Sequence, residues 1–126
     1  MNLYDTRFFF EHFYSSDPSI LQRTKGKLGG SQRAYVSAVT IHETYRLTLD
    51  KEGREAAELR ASLMEKDFDV IPVDAKAAKV SAELRKEYGM PMGDSMIAAA
   101  ARMFDLRCIT DDPHLTAVKE IRTGWL

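Results

Sequence analysis

Four acidic residues stand where a predicted strand ends or a predicted helix begins: Asp5, Glu43, Asp94 and Asp112. In an α/β protein the carboxyl ends of parallel strands meet at one edge of the sheet, so these side chains are expected to lie close together. Carboxylates in such proximity repel one another unless cations lie between them. The pattern therefore predicts a divalent-metal site, and hydrolysis of a phosphodiester bond is a chemistry that commonly uses one.

Each acid also has a purely structural interpretation. Asp94 and Asp112 would make good helix N-caps, and Asp5 could cap the first helix. Glu43 is the third residue of a capping-box pattern that begins at Thr40. Taken singly, each residue keeps both interpretations, whereas the shared placement after strands favours a common site.

Other chemistries have weaker support in the sequence. The three histidines, His12, His42 and His114, show no metal-ligand spacing and are interpreted as surface or capping residues. No glycine-rich phosphate loop is present. The single cysteine, Cys108, excludes an intrachain disulfide and is expected to be a buried, inert thiol, which is consistent with a reducing, cytoplasmic compartment.

Length and composition indicate one soluble globular domain over residues 1–126. Hydrophobic residues make up 44% of the chain and charged residues 29%, which is ordinary for such a domain. The formal net charge is −1, so any contact with nucleic acid must come from local charge patterning. No apolar run approaches the ~18 residues that cross a membrane, and no membrane association is expected.

Strand and helix signals alternate along the chain. Strands are expected at 2–5, 34–39, 68–73 and 107–110, with a fifth at 121–126. Helices are expected at about 6–14, 18–27, 40–49, 54–66 and 75–88, then from Asp94 and from Asp112; Gly29–Ser31 breaks the second one. This alternation predicts right-handed crossovers and a parallel sheet.

Four motifs carry a resemblance to a known family. Leu3-Tyr4-Asp5-Thr6 resembles the opening motif of PIN-domain nucleases, and Glu43 matches their acid on the helix after the second strand. The segment 92–100 resembles their third acidic motif, with Asp94 followed by small residues. The segment 109–112 is similar to their closing motif, with Thr110 and Asp112 in the family positions. The motifs span the chain in order, and the compact size resembles the VapC toxins.

The resemblance implies a three-layer α/β/α sandwich around a mostly parallel sheet of four to five strands. It also implies an endoribonuclease that uses Mg²⁺ or Mn²⁺ to cleave single-stranded RNA, pairs with an antitoxin protein and forms a homodimer in the cytoplasm. Asp5, Asp94 and Asp112 would be the main metal ligands, and Glu43 would bind a second ion or orient a water. Thr6 and Thr110 would support the site by hydrogen bonding.

Arg7 departs from the family, which often has Asn at this position. Its guanidinium could bind a substrate phosphate, compete with the metal by pairing with Asp5 or Glu43, or point elsewhere. Arg7 therefore keeps an alternative open, in which the protein is a weak or silent PIN-like scaffold or binding module. A phosphatase, or a nuclease for structured DNA, would use the same ions and also stays open.

Two further surfaces are expected to bind partners. Residues 18–42 contain no acid, and the basic side chains of this stretch are a predicted phosphate track for RNA: Arg23, Lys25, Lys27 and Arg33. The alternative is a solvated helix end, where cations favour the helix dipole. The apolar residues Tyr45, Leu47 and Leu49 are the predicted contribution of the Glu43 helix to a homodimer.

Overall fold

Every strand of the central sheet runs in the same direction. The computed structural model describes residues 1–30 and 32–126, and its strands are β1 (Asn2–Tyr4), β2 (Ala34–Ser37), β3 (Asp69–Ile71), β4 (Arg107–Ile109) and β5 (Thr123–Gly124). Their order is β3-β2-β1-β4-β5, with all four pairings parallel. In the central strand, Leu3 pairs with Tyr35 on one side and with Cys108 on the other. The carboxyl ends of all five strands therefore lie at one edge, and the predicted α/β class is confirmed.

Helices cover both faces of the sheet and complete a three-layer sandwich. They are α1 (Thr6–Tyr14), α2 (Pro18–Leu28), α3 (Ala38–Glu52), α4 (Arg54–Asp67), α5 (Ala75–Tyr88), α6 (Met92–Met103) and α7 (Pro113–Thr116). Leu3 and Cys108 contribute to a core with α5, α6 and α7, whereas Tyr4 and Ile109 contribute to a core with α1 and α4. Consecutive strand residues thus serve opposite faces, as the two-residue period of a strand requires.

Helix α6 packs closely against the sheet because its side chains are small. Ile97 and the four alanines that follow are almost fully buried, as a helix without a solvent-facing side should be. Beside it, Cys108 is buried and free, and burial raises the pKa of its thiol well above the usual value. The thiol therefore stays protonated, in agreement with the inert cysteine expected from the sequence.

The second strand and the helix after it differ from the prediction. Ser37 ends β2 and is the N-cap of α3, because its Oγ accepts a hydrogen bond from the Val39 N–H at 3.1 Å. The residues 38–39 that were assigned to the strand are therefore helical. The predicted capping box at Thr40 does not form, because Glu43 lies beyond the first turn of α3. Its carboxylate instead accepts a hydrogen bond from the Thr6 hydroxyl on α1. The helix ends at Glu52, later than predicted, and Gly53 is its C-cap with φ at +93°.

Three other boundaries differ from the prediction. The prediction of Asp94 as an N-cap is wrong: α6 begins at Met92 with Pro91 as its N-cap, and no side chain caps it. Strand β3 stops at Ile71 because Pro72 has no N–H to continue the ladder. Strand β5 keeps only two of the six predicted residues, both paired with β4. The predicted break at Gly29–Ser31 includes Ser31, which lies outside the described residues.

None of the helices seen in residues 1–30 and 32–126 is long and apolar enough to serve as a transmembrane span.

Candidate metal centre

Asp5 is the most buried acid of the four. It follows β1 directly, and only 2% of its surface is exposed. Its Oδ2 accepts a hydrogen bond from the Thr110 hydroxyl at 2.7 Å, and the Thr110 oxygen in turn accepts one from the Asp112 backbone N–H at 3.0 Å. Thr110 follows the adjacent strand β4, so the parallel pairing of β1 with β4 brings these groups together. One threonine thereby positions two of the acidic residues.

Glu43 is positioned by the start of α1. Its Oε1 accepts a hydrogen bond from the Thr6 hydroxyl at 2.6 Å, and the hydroxyls of Thr6 and Thr40 lie 3.1 Å apart. On its other side, a Cβ at Gly93 would stand 3.4 Å from Glu43 Oε2. The absence of a side chain at Gly93 therefore lets the first turn of α6 approach the carboxylate.

Asp94, Asp112 and His114 form the most compact group of the centre. Each offers one ligand atom, and these atoms all lie within 4.8 Å of one another. Asp112 is also the N-cap of α7, as predicted, because its Oδ1 accepts from the His114 backbone N–H at 2.9 Å. Sequence reasoning missed His114 as a site residue. The available signal was its position two residues after a capping Asp, which turns the imidazole toward that carboxylate.

Burial and mutual repulsion raise the pKa values of two of these carboxyls. Burial is the largest cause for Asp5, whose pKa rises to about 6 although the Thr110 hydrogen bond opposes the shift. The pKa of Asp94 also rises to about 6, first because of burial and then because Asp112, Asp5 and Glu43 are negatively charged. The structure therefore places Asp94 within electrostatic reach of the other three predicted acids.

Arg7 points away from the predicted ligands. Its Nε and Nη2 donate to Asp111 Oδ1 and Oδ2 at 3.0 and 3.2 Å, and this hydrogen-bonded pair raises the pKa of the guanidinium. Over residues 1–30 and 32–126, the Arg7 guanidinium makes no hydrogen bond to Asp5 or Glu43. Of the three orientations left open by the sequence, the structure has the third, in which Arg7 does not occupy the acidic centre.

The arrangement fits a divalent cation. Carboxylate oxygens and an imidazole nitrogen are both metal donors. Asp5 adds a further, almost fully buried carboxylate whose charge interacts with those of Asp94 and Asp112. A bound cation would stabilise the charged carboxylates against burial and mutual repulsion, which raise the pKa values of Asp5 and Asp94.

The structure does not bring all of the predicted RNA track to this centre. Arg33 precedes β2, at the amino edge of the sheet, and its Nη2 lies 2.7 Å from Asp69 Oδ2. Its guanidinium also lies over the Tyr35 ring at 5.8 Å. The other three basic residues, Arg23, Lys25 and Lys27, are exposed on α2. The acids lie at the opposite edge from Arg33, and the RNA-binding role of this track stays a prediction.

Comparison with known families agrees with the fold and the order of the motifs. The sequence matches the PIN domain family over residues 3–121. The chain therefore belongs to the PIN domain family, and the predicted resemblance is confirmed. No curated protein matches the sequence at a significant level.

Solved structures similar to this chain include toxin–antitoxin proteins. The VapBC2 complex of Rickettsia felis, bound to a promoter DNA fragment, has a TM-score of 0.80 at 13% identity, covering 99% of this chain and 98% of that one. DNA-bound VapBC from Salmonella typhimurium has a TM-score of 0.79 at 19% identity, with the same coverage. The Mycobacterium tuberculosis toxin VapC20, which cleaves the sarcin-ricin loop, has a TM-score of 0.76 at 18% identity, covering 97% and 99%. These likenesses show a shared fold.

Proposed function

We propose that this protein is a divalent-metal-dependent endoribonuclease that cleaves single-stranded RNA as the toxin of a toxin–antitoxin pair. The observation that carries the proposal is the convergence of the carboxyl groups of Asp5, Glu43, Asp94 and Asp112 at the carboxyl edge of the sheet. Membership of the PIN domain family and the fold shared with VapC20 support the same reaction class.

The residues of the centre have separable roles in this proposal. Asp5, Asp94 and Asp112 hold the cation. The Thr110 hydroxyl fixes the positions of Asp5 and of the Asp112 backbone by hydrogen bonds. Glu43, held by Thr6, binds a second ion or orients the attacking water. When bound, Mg²⁺ or Mn²⁺ supplies a Lewis acid that lowers the pKa of water and stabilises charge on the phosphate.

The position of Arg7 favours an enzyme over a silent scaffold. A scaffold reading requires Arg7 to neutralise the acids, but Asp111 holds its guanidinium instead. Two of the five N–H donors of an arginine are used in this pair. The remaining donors are suited to a phosphate oxygen of the RNA next to the metal.

Protein partners complete the proposal. The structures of VapBC complexes support a cognate antitoxin, and exposed apolar side chains on α4 offer a surface for one: Leu59 is 63% exposed and Leu63 49%.

For the proposed homodimer, α3 presents Leu49, which is 38% exposed, beside the half-buried Tyr45 and Leu47. The proposed location is the cytoplasm. Light scattering at micromolar concentration should show a dimer, and a monomer alone would contradict this part.

Cleavage of RNA with and without metal tests the activity. The wild-type protein should cut single-stranded RNA with Mg²⁺ or Mn²⁺, and EDTA should abolish the reaction. Asp94→Asn should reduce cleavage at least ~100-fold because a metal-binding charge is lost. Asp94 caps no helix, so the fold should be unaffected. Asp67→Asn, at an exposed position at the end of α4, is the matched control and should cleave like the wild type.

Two results would decide against the proposal. If Asp94→Asn cut RNA at the wild-type rate, the assignment of the centre would be wrong. If the wild-type protein cut no RNA but bound Mn²⁺ and a partner, the scaffold interpretation would replace the enzyme.

A further inference from the structure

His114 adds a nitrogen donor to a centre otherwise made of carboxylates. It is exposed on α7, and its ring lies within 4.8 Å of ligand oxygens of both Asp94 and Asp112. The geometry is set by Asp112, whose Oδ1 accepts the His114 backbone N–H and so places the imidazole beside it. In the described residues these three make up the only group of metal-type side chains that is this compact.

A second observation indicates that a ligand belongs in this group. Asp5 is 2% exposed, and burial is the largest cause of its raised pKa, so a nearby cation would stabilise the charged carboxylate. Its charge interacts with those of Asp112 and Asp94, so the carboxylate faces the group that includes His114. The carboxylate oxygens of this group and the imidazole of His114 would together hold the cation.

We infer that His114 is a direct ligand of the metal and that it changes which metal the protein selects. This inference rests on the proposed metal-dependent function. Carboxylates and water suit Mg²⁺, whereas imidazole favours transition-metal ions. The site of this chain therefore binds Co²⁺ and Zn²⁺ in preference to Mg²⁺, by a margin that an all-carboxylate site would not have.

The competing interpretation is that His114 lies near the acids through charge attraction alone. An exposed imidazole next to two carboxylates is attracted to them without any metal. The two interpretations differ in the ratio of metal affinities, because a mere charge neighbour affects all divalent ions alike. The measurement must therefore compare metals rather than detect binding of one.

The test is calorimetric titration of the whole metal-free protein with Co²⁺ and with Mg²⁺, for four variants beside the wild type. His114→Ala removes the nitrogen donor, and His114→Asp replaces it with oxygen. His42→Ala is the matched control, since His42 is an exposed histidine on α3 outside the group. Asp94→Asn removes a ligand that the proposed function itself requires.

His114→Ala should weaken Co²⁺ binding at least ~10-fold, because loss of even an outer-shell partner of a metal site costs about 10- to 100-fold in affinity. Mg²⁺ binding should weaken much less, because Mg²⁺ is suited to oxygen ligands. His114→Asp should bind Mg²⁺ at least as well as the wild type without recovering Co²⁺ affinity. His42→Ala should match the wild type for both ions. With diamagnetic Zn²⁺, nitrogen NMR should show a shifted imidazole nitrogen that disappears in His114→Ala.

Equal losses of Co²⁺ and Mg²⁺ affinity in His114→Ala, or unchanged affinity for both, would overturn the inference and leave the proposed function intact. An unshifted imidazole at saturating Zn²⁺ would overturn it as well. If the wild-type protein bound neither ion, or if Asp94→Asn bound both like the wild type, the proposed metal centre would fail together with the inference.

Discussion

Arg7 and Asp111 form a two-point ion pair, in which the guanidinium donates to both carboxylate oxygens at 3.0 and 3.2 Å. The pair joins the first turn of α1 to the segment after β4. These segments adjoin Asp5 and Asp112, so the ion pair helps to hold the two acids in position without contacting them. It also keeps the only cation on the first turn of α1 away from the carboxylates that would bind metal.

Asp111→Asn should weaken metal binding although Asp111 is not a proposed ligand. Without a charged acceptor, Arg7 is expected to turn toward Asp5 and compete with the cation. We expect a loss of Mn²⁺ affinity of about 3- to 10-fold, equivalent to roughly 1 kcal/mol, the upper range for an exposed ion pair. Calorimetric titration at pH 7 measures it.

The double variant Arg7→Asn/Asp111→Asn is the control for this mechanism. It should recover wild-type Mn²⁺ affinity, because no competing guanidinium remains. Both side chains of the pair are more than a third exposed, so each single change should alter stability by less than about 1 kcal/mol. If the double variant bound Mn²⁺ as weakly as Asp111→Asn, competition by Arg7 would not be the cause.

Metal affinity should increase as the pH rises from 5 to 7. Asp5 and Asp94 both have a pKa near 6, so protons must leave before a cation binds. Affinity should change by up to about tenfold per pH unit for each proton released, although the apparent pKa values belong to the coupled cluster. Calorimetry in two buffers of different ionisation enthalpy counts the protons, and Asp94→Asn should release fewer. An affinity that did not vary over this range would contradict the raised pKa values.

The stability of the metal-free protein should follow the opposite trend. The pKa of Asp5 is 3.8 in the reference state and about 6 when folded, so the folded state holds the proton more tightly. The contribution of Asp5 to stability is therefore greatest below pH 4 and is lost as the pH rises through 6, by on the order of 3 kcal/mol. Thermal unfolding with EDTA should show this loss between pH 5 and 7, and Mn²⁺ should remove it. If stability still fell between pH 5 and 7 at saturating Mn²⁺, the fall would come from groups other than Asp5 and its neighbouring acids.

Thr110→Val should destabilise the protein and raise the pKa of Asp5 further. The variant keeps the shape of the side chain but removes the donor to Asp5 Oδ2 and the acceptor of the Asp112 N–H. Loss of these buried hydrogen bonds should cost about 1–3 kcal/mol, measured by chemical unfolding. NMR titration of the Asp5 carboxyl should show the pKa change, since the hydrogen bond lowers it. Thr110→Ser, which keeps the hydroxyl, should restore both properties.

Much of this protein could be read from its sequence because the signals are local. The alternation of strands and helices predicted the parallel sheet, and Asp112-Pro113 predicted the last helix with its cap. The alanines at 98–101 are also a local signal, typical of a helix buried against a sheet. The four acids were found in the same way, since a parallel sheet collects the residues that follow its strands at one edge.

Other features depend on neighbours that are distant in sequence. The sequence pattern Thr40–Glu43 matches a capping box. In the structure the Glu43 carboxylate instead accepts a hydrogen bond from the Thr6 hydroxyl, 37 positions earlier in the chain. The sequence left three orientations of Arg7 open, and the acceptor that the structure gives it, Asp111, is 104 positions away. His114 acquires a possible role only because α6 brings Asp94 beside it.

Local propensities and hydrophobic periodicity thus determined the elements, their order and the acids at the end of the sheet. The tertiary structure decided which donor meets which acceptor, because a side-chain hydrogen bond forms only when packing brings two groups within about 3 Å. It also decided the charge state of the centre, since burial and proximity, rather than residue type, raise the pKa values of Asp5 and Asp94 to about 6.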